Sequence, residues 1–462
     1  MHQALDIQPR PSTDNPYCIE TLKDRLWRTE SWFEDSEQDH LGHLEEELRN
    51  DFNEFLRQRL EASAQKKSDD TPSICPKCSI KLKKCEWHTK TIQTGAGPIK
   101  IRRLRGWCSK CKEWRFPADE LLGINDGVSP YVEKMASLFA SKMPFAEGTR
   151  TMKEATGIDL CESKMKRVVG GSSKKAQSKR ADMDEKAPTQ PPENSITDPT
   201  SVTMVIEIDA WNIRERNNWG ETKAILKAGG DLKRWHWTWT GTVFTLDKRA
   251  KKGDRHVIIE RGYVATRQGL DGFREQLHAE AMRRGLGQVG RTIIIGDGAA
   301  WIWNLCDDRF GGAIQRLDLY HLHQHLWAAS KQMHERTEEA LRWYNRMKKA
   351  IGKGKYLQVI SKMEEALEHL SNERREALEK EIKYMDGHRE RMDYDQAHER
   401  NEPLGRGAIE STCRQYQCRF KRPGQFWSTE GAEGILCLDT FWRNERWNEL
   451  FPHSSRSNLS KN

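Results

Sequence analysis

The chain has 462 residues, 36% hydrophobic and 32% charged, enough apolar material for two or three domains under a heavily charged surface. Its formal charge is +8, from 77 Lys and Arg against 69 Asp and Glu, so a nucleic-acid footprint has to come from local patterning, not bulk charge. No apolar run approaches the ~18–20 residues of a membrane span, and the first residues lack the basic-then-apolar layout of a signal peptide. The cysteine count of 11 is odd and includes two close pairs, which argues for a reducing, cytoplasmic setting and metal binding over a disulfide framework.

Residues 1–70 form an N-terminal segment that reads as helical from Tyr17 to Gln65, an amphipathic stretch suited to packing or dimerising. Residues 71–125 follow as a cysteine module. Cys75-Pro-Lys-Cys78 and Cys108-Ser-Lys-Cys111 are two C-x-x-C knuckles about thirty residues apart, the spacing that delivers four thiolates to tetrahedral Zn²⁺ around β-hairpins. Thr89–Gln93 and Ile99–Leu104 alternate as strands on either side of Gly95-Ala-Gly-Pro98, so a structural zinc ribbon is predicted. Arg102, Arg103 and Arg105 supply positive charge for phosphates, and a purely structural ribbon is the alternative.

Residues 126–175 read as a small helical region opened by Ser129-Pro130. Its last helices, joined by Thr156-Gly157, fit either a helix-turn-helix presenting Lys164, Lys166 and Arg167 to DNA or a plain helical cluster. Gly, Ser, Pro and charges crowd residues 170–200, which read as a linker, with the domain boundary drawn at 176–200.

Residues 201–331 change texture. Strands are predicted at Val202–Ile208, Trp235–Leu246, His256–Thr266, Arg291–Gly296 and Ala313–Leu317, with helices at Gly269–Arg284 and Leu319–Ser330. Residues 332–402 are charged and helical, 403–450 hold a late helix, and 451–462 form a polar tail. The fold class is therefore multidomain α/β, with N-terminal helices and a zinc ribbon, then a mixed sheet with a helical insertion.

Asp209 and Asp297 each sit just past an apolar strand. Neighbouring parallel strands ending at one edge would bring the two carboxylates together, where like charges repel unless a cation neutralises them. An oxygen-rich, thiol-poor site suits Mg²⁺ or Mn²⁺, and two such ions can serve phosphodiester cleavage and strand transfer. Each Asp is also an ordinary turn or cap residue, and Glu207 on the same strand is an alternative ligand to Asp209. Glu410 begins a helix that continues into Arg414, Arg419, Lys421 and Arg422, a carboxylate for a metal followed by cations for phosphates.

The segments GDGAAWIWNL, LDLYHLHQHL and LGRGAIESTCRQYQCRFKRPGQFWSTEGAEGILCL resemble the ISKra-type insertion-sequence transposases, over roughly Ser73 to Trp447. The resemblance implies a DDE transposase with a ribonuclease H-like catalytic fold, whose three acids map onto Asp209, Asp297 and Glu410 as catalytic, magnesium-holding residues. At the first of these the chain has Asp209-Ala210, where Asp-Gly is the commoner pattern. Asp318-Leu-Tyr-His321 looks like the acid-x-x-histidine signature of Mutator-type relatives, making Asp318 and His321 auxiliary candidates. Terminal inverted repeats and target DNA are the implied partners, with a homo-oligomer in the synaptic complex, no membrane, and the bacterial cytoplasm or nucleoid as the site of action. A transposase-derived DNA-binding protein without catalysis, and a ribonuclease H-fold nuclease that cleaves without joining, are the competing expectations.

Overall fold

The computed structural model describes residues 19–187, 202–217, 220–230, 234–253 and 255–452; the Pro-rich part of the expected linker and the polar tail past residue 452 lie outside them. The chain divides into two units, Met1–Ser172 and Ser173–Asn462. Among the described residues no helix is long and apolar enough to cross a membrane.

The first unit opens with α1 (Ile19–Asp35) and α2 (Leu41–Asp69), so the single predicted helical stretch is broken around Ser36–His40. Next come β1 (Lys83–Thr94), β2 (Gly97–Cys108) and β3 (Glu113–Arg115), an antiparallel sheet in which Thr94 faces Gly97 across a two-residue turn. Where β3 has not yet begun, the free edge of β2 is covered by α2: Glu61 accepts the N–H of Lys100 at 2.9 Å, and Gln65 exchanges two hydrogen bonds with the backbone of Arg102. α3 (Pro117–Leu121), α4 (Pro130–Lys142), α5 (Phe145–Thr156) and the first half of α6 (Glu162–Glu185) complete the unit's elements. Ser129 caps α4 by accepting the N–H of Val132, and Gly157 ends α5 at φ 71°.

α6 corrects the linker boundary, since it runs unbroken through Gly170-Gly-Ser-Ser173 to Glu185. The small residues are there for close packing. A Cβ on Gly171 would lie 3.0 Å from Asn125 Nδ2, and buried Ser172 donates to Glu133 at 2.8 Å.

The second unit is built on β4 (Thr203–Arg214), α7 (Thr222–Lys227), β5 (Trp235–Thr245), β6 (Arg249–Lys252), β7 (Arg255–Ile258) and β8 (Gly262–Thr266). The strand expected over His256–Thr266 is thus two strands, parted at the charged pair Glu260-Arg261. α8 (Gly269–Arg283), β9 (Arg291–Gly296), α9 (Ala300–Arg309), β10 (Ile314–Leu317) and α10 (Leu319–Met333) follow. The main sheet has five strands in the order β10-β9-β4-β5-β8; β4 runs parallel to β9 and antiparallel to β5. Met204, Ile206, Ile208 and Ile294 enter one core, Val205, Ile293 and Ile295 another, so these stretches of β4 and β9 are covered on both faces. β4 continues past the expected end at Ile208 to Arg214, paired with β5 throughout, so Asp209 stands within the strand and not after it.

Helices α11 (Thr337–Ile351), α12 (Tyr356–Ala366), α13 (Asn372–Gly387) and α14 (Tyr394–Glu399) fill the predicted helical stretch. Their end is clamped to β10 by Arg316, fully buried, which bonds both oxygens of Asp393 at 2.8 and 2.7 Å and Glu402 at 2.7 Å. α15 (Gly407–Phe420), α16 (Thr429–Arg443) and α17 (Trp447–Leu450) close the unit.

Candidate functional site

Asp209 lies on β4 and Asp297 follows the end of β9, the parallel neighbour of β4. The geometry brings them to one cation: Nη1 of Arg406 is 2.9 Å from Asp209 Oδ1 and 3.6 Å from Asp297 Oδ2. Nε of the same guanidinium is 3.3 Å from Asp318 Oδ2, and Asp318 also caps α10 by accepting the N–H of Tyr320. Three aspartates, one within β4 and two just past the ends of β9 and β10, therefore converge on a buried arginine that opens α15. Burial works against the charge on Arg406, but Asp209, Asp297 and Asp318 outweigh it and raise its pKa.

Glu207, two residues before Asp209, has a separate task. It is buried and accepts the backbone N–H of Ile409 at 2.7 Å, anchoring the first turn of α15 to β4. Beyond that anchor α15 packs on the sheet through Tyr416 and Phe420, which contact the buried ring of Trp211. Glu410 stands one turn past Arg406, bonding its backbone N–H to the Arg406 carbonyl. The structure thus seats Glu410 on the helix bordering the aspartates but does not gather Asp209, Asp297 and Glu410 into a close ligand cluster. Among the described residues the group close enough for an ion is the cysteine quartet.

Sequence reasoning missed Arg406 and the helical contribution to the site. Tyr384 of α13 donates its hydroxyl to the Asp297 carbonyl at 2.8 Å. Gly298 has φ 96°, and a Cβ there would lie 2.6 Å from that hydroxyl, so the loop after β9 requires glycine. His321 and His325 on α10 and His388 just past the end of α13 surround the Tyr384 ring, and Glu381 of α13 contacts His325. The Asp-Gly pair was legible as a turn; its tyrosine partner, 87 residues away, carries no local signal.

In the first unit Cys75, Cys78, Cys108 and Cys111 present sulfurs within 4.8 Å of one another, a site that can hold a metal such as zinc. Zn–S bonds of about 2.3 Å in a tetrahedron put sulfurs about 3.8 Å apart. The Cys75–Cys111 and Cys78–Cys108 separations are 3.9 and 3.4 Å. Both knuckles turn alike: Ser79 and Lys112 have φ 59° and 54°, and each bonds the carbonyl of the first cysteine at 2.8 Å. The Cys111 N–H points at the sulfur of Cys108, and despite burial that thiol is pulled down to about 6.

The cationic candidates separate by exposure. Arg102 is exposed over Trp87, and Arg105 covers Trp114 at 4.2 Å. Arg103, at 5% exposure, is instead clamped to Asp119 at 2.8 Å beneath the sheet, which withdraws it from the phosphate-binding set. Arg419, at 4%, packs 4.7 Å from the Trp427 ring and is withdrawn for the same reason. Lys164 and Arg167 pair with Asp126, and Lys166 with Glu162. Arg414 and Lys421 are exposed and Arg422 half-buried.

No curated protein matches the chain. Residues 245–447, a span that holds Asp297, Asp318, Arg406 and Glu410 but not Asp209, match the model of an uncharacterised protein family, UPF0236.

Proposed function

We propose that the chain is a DNA transposase of the Asp-Asp-Glu type, cutting and rejoining phosphodiesters with Asp209, Asp297 and Glu410. The observation that carries this reading is the meeting of Asp209 and Asp297, from adjacent parallel strands, at one Arg406 nitrogen. The sheet order, with β4 central, parallel to β9 and antiparallel to β5, supports a ribonuclease H-like core.

Asp209 and Asp297 fit a hard divalent cation, since both offer only oxygen and already converge on positive charge. Glu410 would join them from α15. Such a cation, Mg²⁺ or Mn²⁺, would supply activation of the attacking oxygen and neutralisation of charge on the phosphate. Arg406 offers a fixed fork of donors that suits a phosphate oxygen equally well. Exposed Arg414 and Lys421 extend positive charge along and past α15, and the cysteine ribbon with Arg102 and Arg105 is the proposed reader of element ends.

A second reading, a DNA-binding protein without catalysis, is favoured by one observation: Arg406 already occupies the aspartates while Glu410 stands outside them. Labelled DNA carrying the sequences that flank the coding gene, incubated with Mg²⁺ or Mn²⁺, separates the two. The transposase reading expects nicking and strand transfer, both lost in Asp209→Asn, Asp297→Asn and Glu410→Gln while end binding persists. Nicking by Asp297→Asn would refute the assignment, binding without nicking by the wild type supports the second reading, and nicking without joining points to a nuclease.

A further inference from the structure

The helices α10 and α13 bring a chain of ionisable groups to the aspartates that nothing in the Asp-Asp-Glu scheme uses. Glu381 Oε2 lies 2.7 Å from His325 Nδ1, and His325 Nε2 lies 3.3 Å from His321 Nε2. His321 and His325 are one turn apart on α10, Glu381 and Tyr384 share a face of α13, and His388 follows that helix's end. Tyr384 stacks on His325 at 3.7 Å and 15°, holding the ring in plane for both contacts.

Hydrogen-bond bookkeeping assigns the protons. An ionised carboxylate only accepts, so the Glu381 contact needs a hydrogen on His325 Nδ1, and in the neutral ring this leaves a lone pair on Nε2. The hydrogen between the two rings then belongs to His321 Nε2, which leaves His321 Nδ1 as a free base.

We propose that Glu381, His325 and His321 form a proton relay serving the pocket of Asp209, Asp297 and Asp318. The proposal rests on the phosphodiester reading above. As water attacks phosphorus, its oxygen forms the new P–O bond and its proton goes to His321 Nδ1. The His321 Nε2 proton then passes to His325 Nε2, and Glu381 balances the resulting imidazolium. The bond to the departing 3′ oxygen breaks with its electron pair on that oxygen, and the relay returns the proton to it. His321 is the catalytic member; His325 and Glu381 are positioning residues.

The charged groups around His321 are Asp297 after β9, Asp318 before α10, Arg406 before α15, and His325 on its own helix, with Tyr384 on α13. Burial and then His325 hold its basicity down, while Asp297 and Asp318 oppose them, so the ring is neutral and able to accept a proton near neutral pH.

Two measurements on the full chain test the relay. Nitrogen-15 histidine spectra, recorded without DNA, are expected to show His325 as the Nδ1–H tautomer and His321 as the Nε2–H tautomer. The pH profile of nicking is expected to rise on an acid limb that moves about one unit lower in Glu381→Gln, with the plateau rate down roughly 10- to 100-fold. His325→Gln, which keeps the helix and loses the ring, should lower the rate likewise. A His325 Nε2–H tautomer, or an acid limb unmoved in Glu381→Gln, overturns the relay while leaving the transposase reading intact. A chain with the expected tautomers that nicks no DNA overturns the cleavage reading and with it the relay's task.

Discussion

Glu207 Oε2 and the backbone nitrogen of Ile409 are 2.7 Å apart across 202 residues of sequence, and this bond fixes where α15 meets β4. A helix start has unpaired N–H groups, and a buried carboxyl oxygen answers one of them. Burial pushes the Glu207 carboxyl up to about 8 against the pull of the Ile409 N–H, so at neutral pH it is largely protonated. Glu207→Ala is expected to cost roughly 1–3 kcal/mol by leaving a buried donor unanswered. Glu207→Gln retains an acceptor and should keep most of that stability. Urea unfolding of the two variants checks this; equal losses would mean that the bond does not anchor α15.

Gly298→Ala puts a side chain where Tyr384 now reaches Asp297 and forces a left-handed residue to carry a Cβ. The backbone cost alone is about 1–2 kcal/mol. Tyr384→Phe loses only the hydrogen bond, at about 1 kcal/mol. Thermal melts should therefore rank Gly298→Ala below Tyr384→Phe, and the reverse order would mean that the loop accommodates the methyl group.

If the four cysteines hold zinc, purified protein should carry about one equivalent, and Cys78→Ser or Cys108→Ser should abolish it. A strong chelator should then unfold the first unit, because a structural metal's binding energy is folding energy. Elemental analysis alongside circular dichroism reads both. Full structure retained in metal-free protein would remove the ribbon's dependence on the ion.

His323 is buried on α10, and burial, aided by the charge of Lys348, lowers its pKa to about 4. Between about 4 and the ordinary value of 6.5 the unfolded chain binds a proton that the folded chain refuses. Stability contributed by the neutral ring is therefore complete above 6.5 and is lost as pH falls through this window, by roughly 1–2 kcal/mol. Denaturant midpoints of wild type and His323→Gln across pH 4–7 should diverge most near neutrality if the buried ring is responsible. Parallel curves would assign the pH dependence elsewhere.

What was legible in the sequence follows from how local each signal is. The knuckles were readable because ligand spacing is a property of one turn, and the β1–β2 hairpin because Gly95 and Ala96 supply that turn. The first half of β4 and the middle of β9 were readable because Met204–Ile206 and Ile293–Ile295 are apolar and buried on both faces, whereas the second half of β4, with Asp209, Asn212 and Arg214, carried no such signal. The Gly170–Ser173 run misled, since small residues serve both in linkers and on helices packed closely against neighbours. Arg103 and Arg419 had the right charge for DNA, but burial depends on what lies above them. Arg406 was invisible because its role requires aspartates from three different strands to meet, and Tyr384, Glu381 and His388 because a helical insertion has no sequence mark showing which face turns inward. Glu207 and Asp209 were equal candidates until α15 was placed over the first of them.

The pocket's aspartates are supplied early in the chain and their supports late. Tyr384 comes 87 residues after the carbonyl it holds, and Arg406 comes 198 residues after the Ile208 carbonyl within its reach. Contacts of such long range form slowly, after the local hairpins and helices. During synthesis, a nascent chain that has just emerged past β10 carries Asp209, Asp297 and Asp318 with no arginine between them and no helix over Glu207. The arrangement therefore comes into being only as α15 docks, and a chain arrested before that point would have the acids without the geometry.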